Sequence, residues 1–400
     1  ETPECSGSKK MAFEDIKIRN YDGRTDRAGV EDLERRCEVG PGKHVFLFTD
    51  TMGDPICRIR NSPMYKMLVA EFNNDLVGVI RGTIKRVTLH NPPKNVAKVG
   101  YILGLRVSPL HRRRGIGYSL VHHLEEWFVA NQVDYAYMAT EKDNKASVKL
   151  FVNKLGYVKF RTPTILVHPA NRHCFDMPPD VTVAKLKVEQ AELLYRMFMG
   201  GTEFFPRDIN KVLGNKLSLG TWVAYTPVRG ASEGEFGLNG RFPDSWAMVS
   251  VWNSGSVFKL RMGKAPLSCF LYGVSSRFMD SVLPCFKVPS LPDFFHPFGF
   301  YFMYGMHHEG PLSGKLVRTL CKHVHNMAAT ESGDCKLVVT EVGGSDGLRS
   351  CIPNWKLLSC PEDLWCIKPL KDDERSTRIR GLMKPTRKPT RALFVDPREV

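Results

Sequence analysis

Tyr101 to Glu125, YILGLRVSPLHRRRGIGYSLVHHLE, changes its hydrophobic period halfway along, and the fold has to be built around that change. Ile102, Leu103, Leu105 and Val107 form a short apolar run, broken by Gly104 and stopped at Ser108-Pro109, which predicts a strand. Beyond Gly117 the apolar positions Leu120, Val121, Leu124, Trp127 and Phe128 recur every three or four residues, with Glu125 and Glu126 facing away, which predicts a helix. The turn between them is Arg112-Arg113-Arg114-Gly115-Ile116-Gly117. Glycines without a β-carbon let successive backbone N–H groups converge at a helix N-terminus, where hydrogen bonding and the helix dipole together favour a phosphate. The turn lacks the G-x-x-x-x-G-K-[ST] of a P-loop and the three-glycine signature of a dinucleotide fold.

Downstream come a strand over Tyr135 to Thr140, then Glu141-Lys142-Asp143-Asn144, then LFVNKLGY from Leu150 to Tyr157. With the glycine turn, this order resembles the R-x-x-G-x-G loop, fifth strand and L-Y-x-K-x-G-F segment of the GNAT superfamily of acyl-CoA-dependent N-acyltransferases. Longer stretches are similar to the plant hookless-type group of N-acetyltransferases: Val30 to Gly40, Phe48 to Pro63, Thr202 to Ile209, Asn215 to Thr221, Trp355 to Lys368 and Phe394 to Glu399.

The resemblance implies an α/β (α+β) fold with a mixed central sheet flanked by helices, acetyl-CoA as co-substrate, and acetyl transfer to an amine. Arg112, Arg113, Arg114, Gly115, Ile116 and Gly117 would hold the pyrophosphate. The backbone of Leu105, Arg106 and Val107 would pair with the pantetheine arm as an added strand and turn an N–H to the thioester carbonyl. Asn144 and Phe151 would complete the cofactor site. A lysine amine, with a pKa of roughly 10.4, arrives protonated and needs a base. Glu141, closing the fifth strand, is the first candidate, the alternative being that it caps the next helix; Glu71 is a weaker one. Many GNAT enzymes place a tyrosine as general acid where this chain has Phe151, which cannot donate a proton. Ser147, one turn earlier, or a water would then serve.

Four hundred residues exceed one ordinary hydrophobic core. At 42% hydrophobic and 25% charged, the composition is that of a soluble globular protein, with no apolar run of membrane-spanning length and no apolar segment at the N-terminus. The eleven cysteines include no C-x-x-C and keep no regular spacing, which argues for a reducing compartment and against a metal or disulfide framework. Adjacent His122-His123 and His307-His308 are ill placed to share a metal, so none is expected.

The expected organisation is a disordered leader (1–12), a GNAT domain (13–168), a proline-rich linker (169–180), a second domain (181–370) and a basic tail (371–400). The second domain repeats the order of the first. LGLRV, helix, YAYMATE and KLGY are echoed by YFMYGM, helix, KLVVTEV and NWKLL, and Glu341 precedes Trp355 by the same interval as Glu141 precedes Leu155. Its turn, His308 to Gly314, has an acid where phosphate would sit and a proline that removes a donor, so this GNAT-like copy is degenerate.

The acceptor expected is a protein amine, a histone lysine being one candidate, in the nucleus with the cytoplasm as alternative. The family resemblance adds a regulatory role in plant development and hormone-dependent differential growth. A non-catalytic acetyl-CoA-binding scaffold and a small-molecule amine acetyltransferase are the alternatives. Net charge is +15 and Arg375 to Arg391 holds seven Lys or Arg without an acid, yet no nucleic-acid motif accompanies it. A basic surface suits a basic acceptor poorly, so a groove would need acids such as Glu38, Asp50 or Asp54.

Overall fold

Asn73 and Asn74 both take positive φ, 50° and 66°, the left-handed pair that a two-residue hairpin turn requires and asparagine tolerates. That hairpin begins two mixed sheets in a computed structural model that describes residues 16–37, 46–91, 94–170, 173–226, 236, 242–264, 294–331, 334–343, 346–356, 358–360, 362–371 and 393–400. The first sheet runs β1 (Ile16–Asn20), β3 (Met64–Phe72), β4 (Asp75–Asn91), β5 (Lys94–Val107), β6 (Tyr135–Glu141), β15 (Asp363–Pro369), β7 (Val158–Arg161). The second runs β8 (Thr164–Pro169), β14 (Cys335–Val342), β13 (Gly299–Glu309), β11 (Trp246–Asn253), β10 (Ser218–Tyr225), β9 (Thr182–Leu186). A separate ribbon pairs β2 (Phe46–Asp50) with β12 (Lys259–Lys264). The helices are α1 (Arg27–Arg36), α2 (Ile116–Ala130), α3 (Lys145–Val148), α4 (Val188–Leu194), α5 (Ile209–Leu213) and α6 (Ser313–Glu331).

The sheets face each other across a shared core. On the outer side of the first, α2 buries Leu120, Val121, Leu124 and Phe128 completely against Ile80, Ile102 and Met138, each such side chain being worth about 1.5–3 kcal/mol. Gly100 makes room for this: a β-carbon there would lie 2.8 Å from the Phe128 ring. On the outer side of the second sheet α6 buries Leu316, Val317, Leu320 and Val324. The inner faces, Tyr101 and Tyr137 from one sheet and Trp246, Met248, Phe300 and Phe302 from the other, enclose Phe204, Phe205 and Phe394.

The repeat is therefore real at the level of sheets: β1, β3, β4, β5, β6 and β15 occupy the places that β9, β10, β11, β13, β14 and β8 occupy in the second copy. Gly104 and Gly305 stand at matching kinks in β5 and β13, both with φ of +60°. Two expectations change. The apolar positions from Val158 to Val167 predict one strand closing the first domain, but the structure has two, because Pro163 cannot donate a ladder hydrogen bond and the chain crosses there to the other sheet. Each sheet is thus closed by the other half's strand: β8 joins β14, and β15 inserts between β6 and β7. The divisions drawn at 168 and 370 follow the covalent chain and not the sheets.

The second change concerns the tail. Residues 372–392, with the whole basic run, lie outside the described residues, as does the leader. Leu393 to Val400 is not a surface tail but a core segment, with Phe394 1% and Asp396 0% exposed. Residues of the expected linker are anchored as well, Phe175 exchanging backbone bonds of 2.7 and 2.9 Å with the Asn326 amide on α6.

Candidate active site

The strand that carries LGLRV loses its partner halfway. β5 and β6 pair in parallel from Val99↔Tyr135 to Ile102↔Met138 and then separate, so Gly104 to Val107 are half-buried in mid-sheet with one backbone edge open. Gly104 sets the kink. Its φ of +60° is a glycine conformation, and a β-carbon would come 2.6 Å from Arg81 Nη1. Arg81 is buried and donates to Glu34 (2.7 Å) and to the Pro55 carbonyl (2.8 Å). Burial pushes Glu34 up, but Arg81 and Arg106 between them hold its carboxyl below the usual range. Arg106 donates to the same Glu34 at 3.1 Å, so its side chain belongs to this ion-pair network and only its backbone faces the opening. Leu105 and Val107 pack against the α2 cluster.

At the end of that strand the turn tightens through Arg113 (φ +66°) and Gly115 (φ +82°) into α2, whose first N–H groups have no side-chain cap. Arg112, Arg113 and Arg114 are exposed, and no carboxylate among the described residues pairs with them. Ile116 is buried at 2%, so it can offer a backbone N–H but no side chain. Gly117 is the second residue of α2, and a β-carbon there would make only ordinary contacts, the nearest with Leu150 at 3.5 Å. These features fit a pyrophosphate.

Asn144, not Glu141, caps α3: its Oδ1 accepts from the Ser147 N–H at 3.1 Å. That commits its carbonyl oxygen and fixes half-buried Ser147 in the first turn. Phe151 is corrected from a cofactor contact to a core residue. It is 2% exposed and stands edge-on to Tyr157 at 5.2 Å, in the cluster beneath α2. Nor does Tyr157 replace the missing tyrosine, since its buried hydroxyl donates to Glu125 at 2.8 Å.

Glu141 lies at the open end of β6, directly across from Asp363 of β15, and both fall on the inner face by strand alternation. Sequence reading missed Asp363; it comes from the far half of the chain and only strand exchange brings it here. Burial pushes its carboxyl up to about 7, Glu141 adding to the shift against the Leu364 N–H. Glu341, the second copy's counterpart of Glu141, is raised well above the carboxylate range by burial and by Asp363, and accepts from Trp365 Nε1 at 2.9 Å. Farther into the core, burial also raises Glu399 although Lys85 lies 2.7 Å from it, and Tyr137 donates to the same carboxylate. Glu71 is tied to Arg19 at 2.8 Å and Asp54 to Arg60, while Asp50 caps the Met52 N–H; Glu38 lies outside the described residues.

The histidine expectation also changes. His122, His123 and Glu126 bring ligand atoms within 4.8 Å of one another, closer than adjacency suggested. All three are exposed, and His123 Nδ1 already meets the Ser119 carbonyl at 2.9 Å.

The model of the acetyltransferase (GNAT) family matches residues 29–157, the stretch from α1 to Tyr157. Two Arabidopsis thaliana proteins, the probable N-acetyltransferases HLS1 and HLS1-like, are 49% and 48% identical over 96% of this chain and 99% of their own lengths. The acetyl transferase GW6a of Oryza sativa subsp. japonica is 35% identical over 96% of this chain and 97% of its own. Among solved structures, Saccharomyces cerevisiae N-myristoyltransferase with bound myristoyl-CoA aligns over 92% of this chain and 83% of its own at a TM-score of 0.55, a likeness of fold at 10% identity. No helix among the described residues is long and apolar enough to cross a membrane. A glycine turn opening an uncapped helix, a kinked strand with a free edge, and relatives this similar over nearly the whole chain lead to one assignment: the protein is an N-acetyltransferase of the GNAT family.

Proposed function

We propose that the protein transfers the acetyl group of acetyl-CoA to a protein amine, with Asp363 taking the amine's proton. The observation that carries this is the parting of β5 and β6 after Ile102 and Met138, which leads from the glycine turn to the Glu141–Asp363 pair. Acetyl-CoA supplies the activated thioester. The N-terminus of α2 and Arg112 to Arg114 bind its phosphates, and the open edge of Leu105 to Val107 aligns its arm and offers an N–H to the carbonyl. Asp363, held near 7, is a better base than an ordinary aspartate, because it takes a proton at neutral pH and can return it. Glu141 sustains that pKa and offers the approaching cation a negative charge.

A histone lysine is the acceptor we would try first, in a nuclear role in plant development and hormone-dependent differential growth. Phe151 favours a second reading, a non-catalytic acetyl-CoA-binding scaffold, because the ring cannot protonate a departing thiolate. Calorimetric titration with acetyl-CoA followed by thiol release with a histone-peptide mixture tests both. Binding with release that Asp363→Asn abolishes supports the enzyme. Binding without release from any peptide supports the scaffold.

A further inference from the structure

The two copies can be compared position by position, because residues of α2 and α6 with the same role differ in number by 200. Ile116, Leu120, Val121, Leu124 and Phe128 correspond to Leu316, Leu320, Cys321, Val324 and Ala328, all buried beneath their helices. One exchange is compensated. Phe128 sits on Gly100, while Ala328 faces a strand that carries Tyr301 at the matching place. Two others are not: Val121 becomes Cys321, and Phe151, which fills the first copy, becomes Cys351.

Beside Cys321 and next to Cys351 in the chain lies a cavity of about 210 Å³, its apolar lining including Leu166, Met303, Cys321, Val338 and Ile352, with His168 among them. Its walls are almost wholly apolar, and apolar cavities of about 150 Å³ are known to stay dry and take up benzene. Thr340 and Lys322 also line it, but their polar atoms are engaged, Thr340 Oγ1 donating to the Met303 carbonyl at 2.8 Å and Lys322 Nζ to the Asp176 carbonyl at 3.3 Å. His168 Nδ1 is buried without a hydrogen-bond partner among the described residues, a cost that proteins rarely leave unmet. Phe175 covers the mouth, its ring 4.6 Å from that of His325, on a segment held to α6 by the Asn326 amide and by the His325 ring at the His173 carbonyl. Burial, with His325 beside it, lowers His168 to about 4, so its ring carries no charge at neutral pH.

We propose that the second half of the fold binds a small, neutral, largely apolar molecule of about one ring, seated between α6 and strands β8, β13 and β14 with a single hydrogen-bonding group on His168. A neutral imidazole nitrogen can accept from a hydroxyl or donate to a carbonyl, and either bond would relieve the unpaired Nδ1. The degenerate copy would then respond to a ligand that has no part in acetyl transfer.

The test uses p-cresol, toluene and benzoate with the full chain. By calorimetry p-cresol should bind with a dissociation constant on the order of 0.1–1 mM, the range open to so small a ligand. Toluene should bind several-fold more weakly and benzoate not at all. Cys321→Leu and Ile352→Phe, each filling the cavity, should weaken p-cresol at least tenfold while keeping a cooperative melt. His168→Leu should erase the preference for p-cresol over toluene. Methyl-labelled methionine gives a reading that needs no variant: p-cresol should shift the Met303 resonance ahead of all others. The proposal is overturned if the wild type binds none of the three, if benzoate binds as well as p-cresol, if a folded filling variant keeps its affinity, or if Met303 is unmoved.

Discussion

Asp363 is pushed toward its neutral form by burial and by Glu141, with one backbone N–H opposing. An acid whose folded pKa is raised contributes stability that is fully present below its unfolded value of about 4 and lost as pH rises through about 7. Asp363→Asn should therefore melt higher than wild type at pH 8, with the advantage gone by pH 4, in thermal scans across that range. The same change should cut acetyl transfer by about 10²–10⁴-fold, and the wild-type rate should climb with pH through about 7. Glu141→Gln should move that midpoint downward, because the neighbouring charge that keeps Asp363 protonated is gone. A rate profile unmoved by Glu141→Gln would sink the pairing. Phe151→Tyr puts a hydroxyl into an apolar cluster at a 2%-exposed site, so it should cost about 1–3 kcal/mol in urea unfolding and leave the rate unimproved.

Among the elements, those legible in the sequence were the ones whose signal is local. The strand and helix around the glycine turn, the asparagine hairpin and α6 all follow from period and turn chemistry: Leu316, Val317, Leu320, Val324 and Met327 mark one helical face, and the helix spans Ser313 to Glu331. The turn itself yields a clean prediction. At Gly117 a β-carbon meets only ordinary contacts, so Gly117→Glu should fold normally, yet it places a carboxylate in the first turn of the helix, beside where phosphates belong. Acetyl-CoA affinity should fall more than tenfold by calorimetry with the melting temperature near that of wild type; unchanged affinity would mean the phosphates sit elsewhere. What the sequence hid was non-local. The partner of the Arg106 side chain, Glu34, stands 72 residues away in the chain and 3.1 Å away in space, a pairing that no local pattern announces. Asp363 is not singled out at all, because periodicity says nothing about which sheet its strand will join.

For the whole molecule, the repeated order was legible and the exchange of closing strands was not, since β15 pairs with β6 over more than two hundred residues of intervening chain. The core segment was hidden for a similar reason. FVDPRE is short and polar, yet Asp396 and Glu399 flank Lys85 at 3.1 and 2.7 Å, and Arg398 bridges Asp396 to Asp208. Removing residues 393–400 would strand the Lys85 ammonium, 4% exposed, without a counter-ion, a loss of about 3–5 kcal/mol before the Phe394 contacts are counted. The truncated chain should lose its cooperative transition in urea. A truncated chain that kept the wild-type midpoint would show that the segment is an ornament of the core.

The exchanged strand also sets a schedule for biosynthesis. When β6 leaves the ribosome its outer edge has no partner, and the seven residues that will cover it are made only after another 220 or so, roughly 10–45 s later at ordinary elongation rates. Throughout that interval a long apolar strand edge is on offer to any other nascent chain, the situation that holdase chaperones exist to manage. Asp363 arrives with the same strand. A message cut short between Gly117 and Asp363 therefore yields a polypeptide that has the glycine turn without the proton acceptor proposed above, and acetyl transfer is expected only from chains extended past β15.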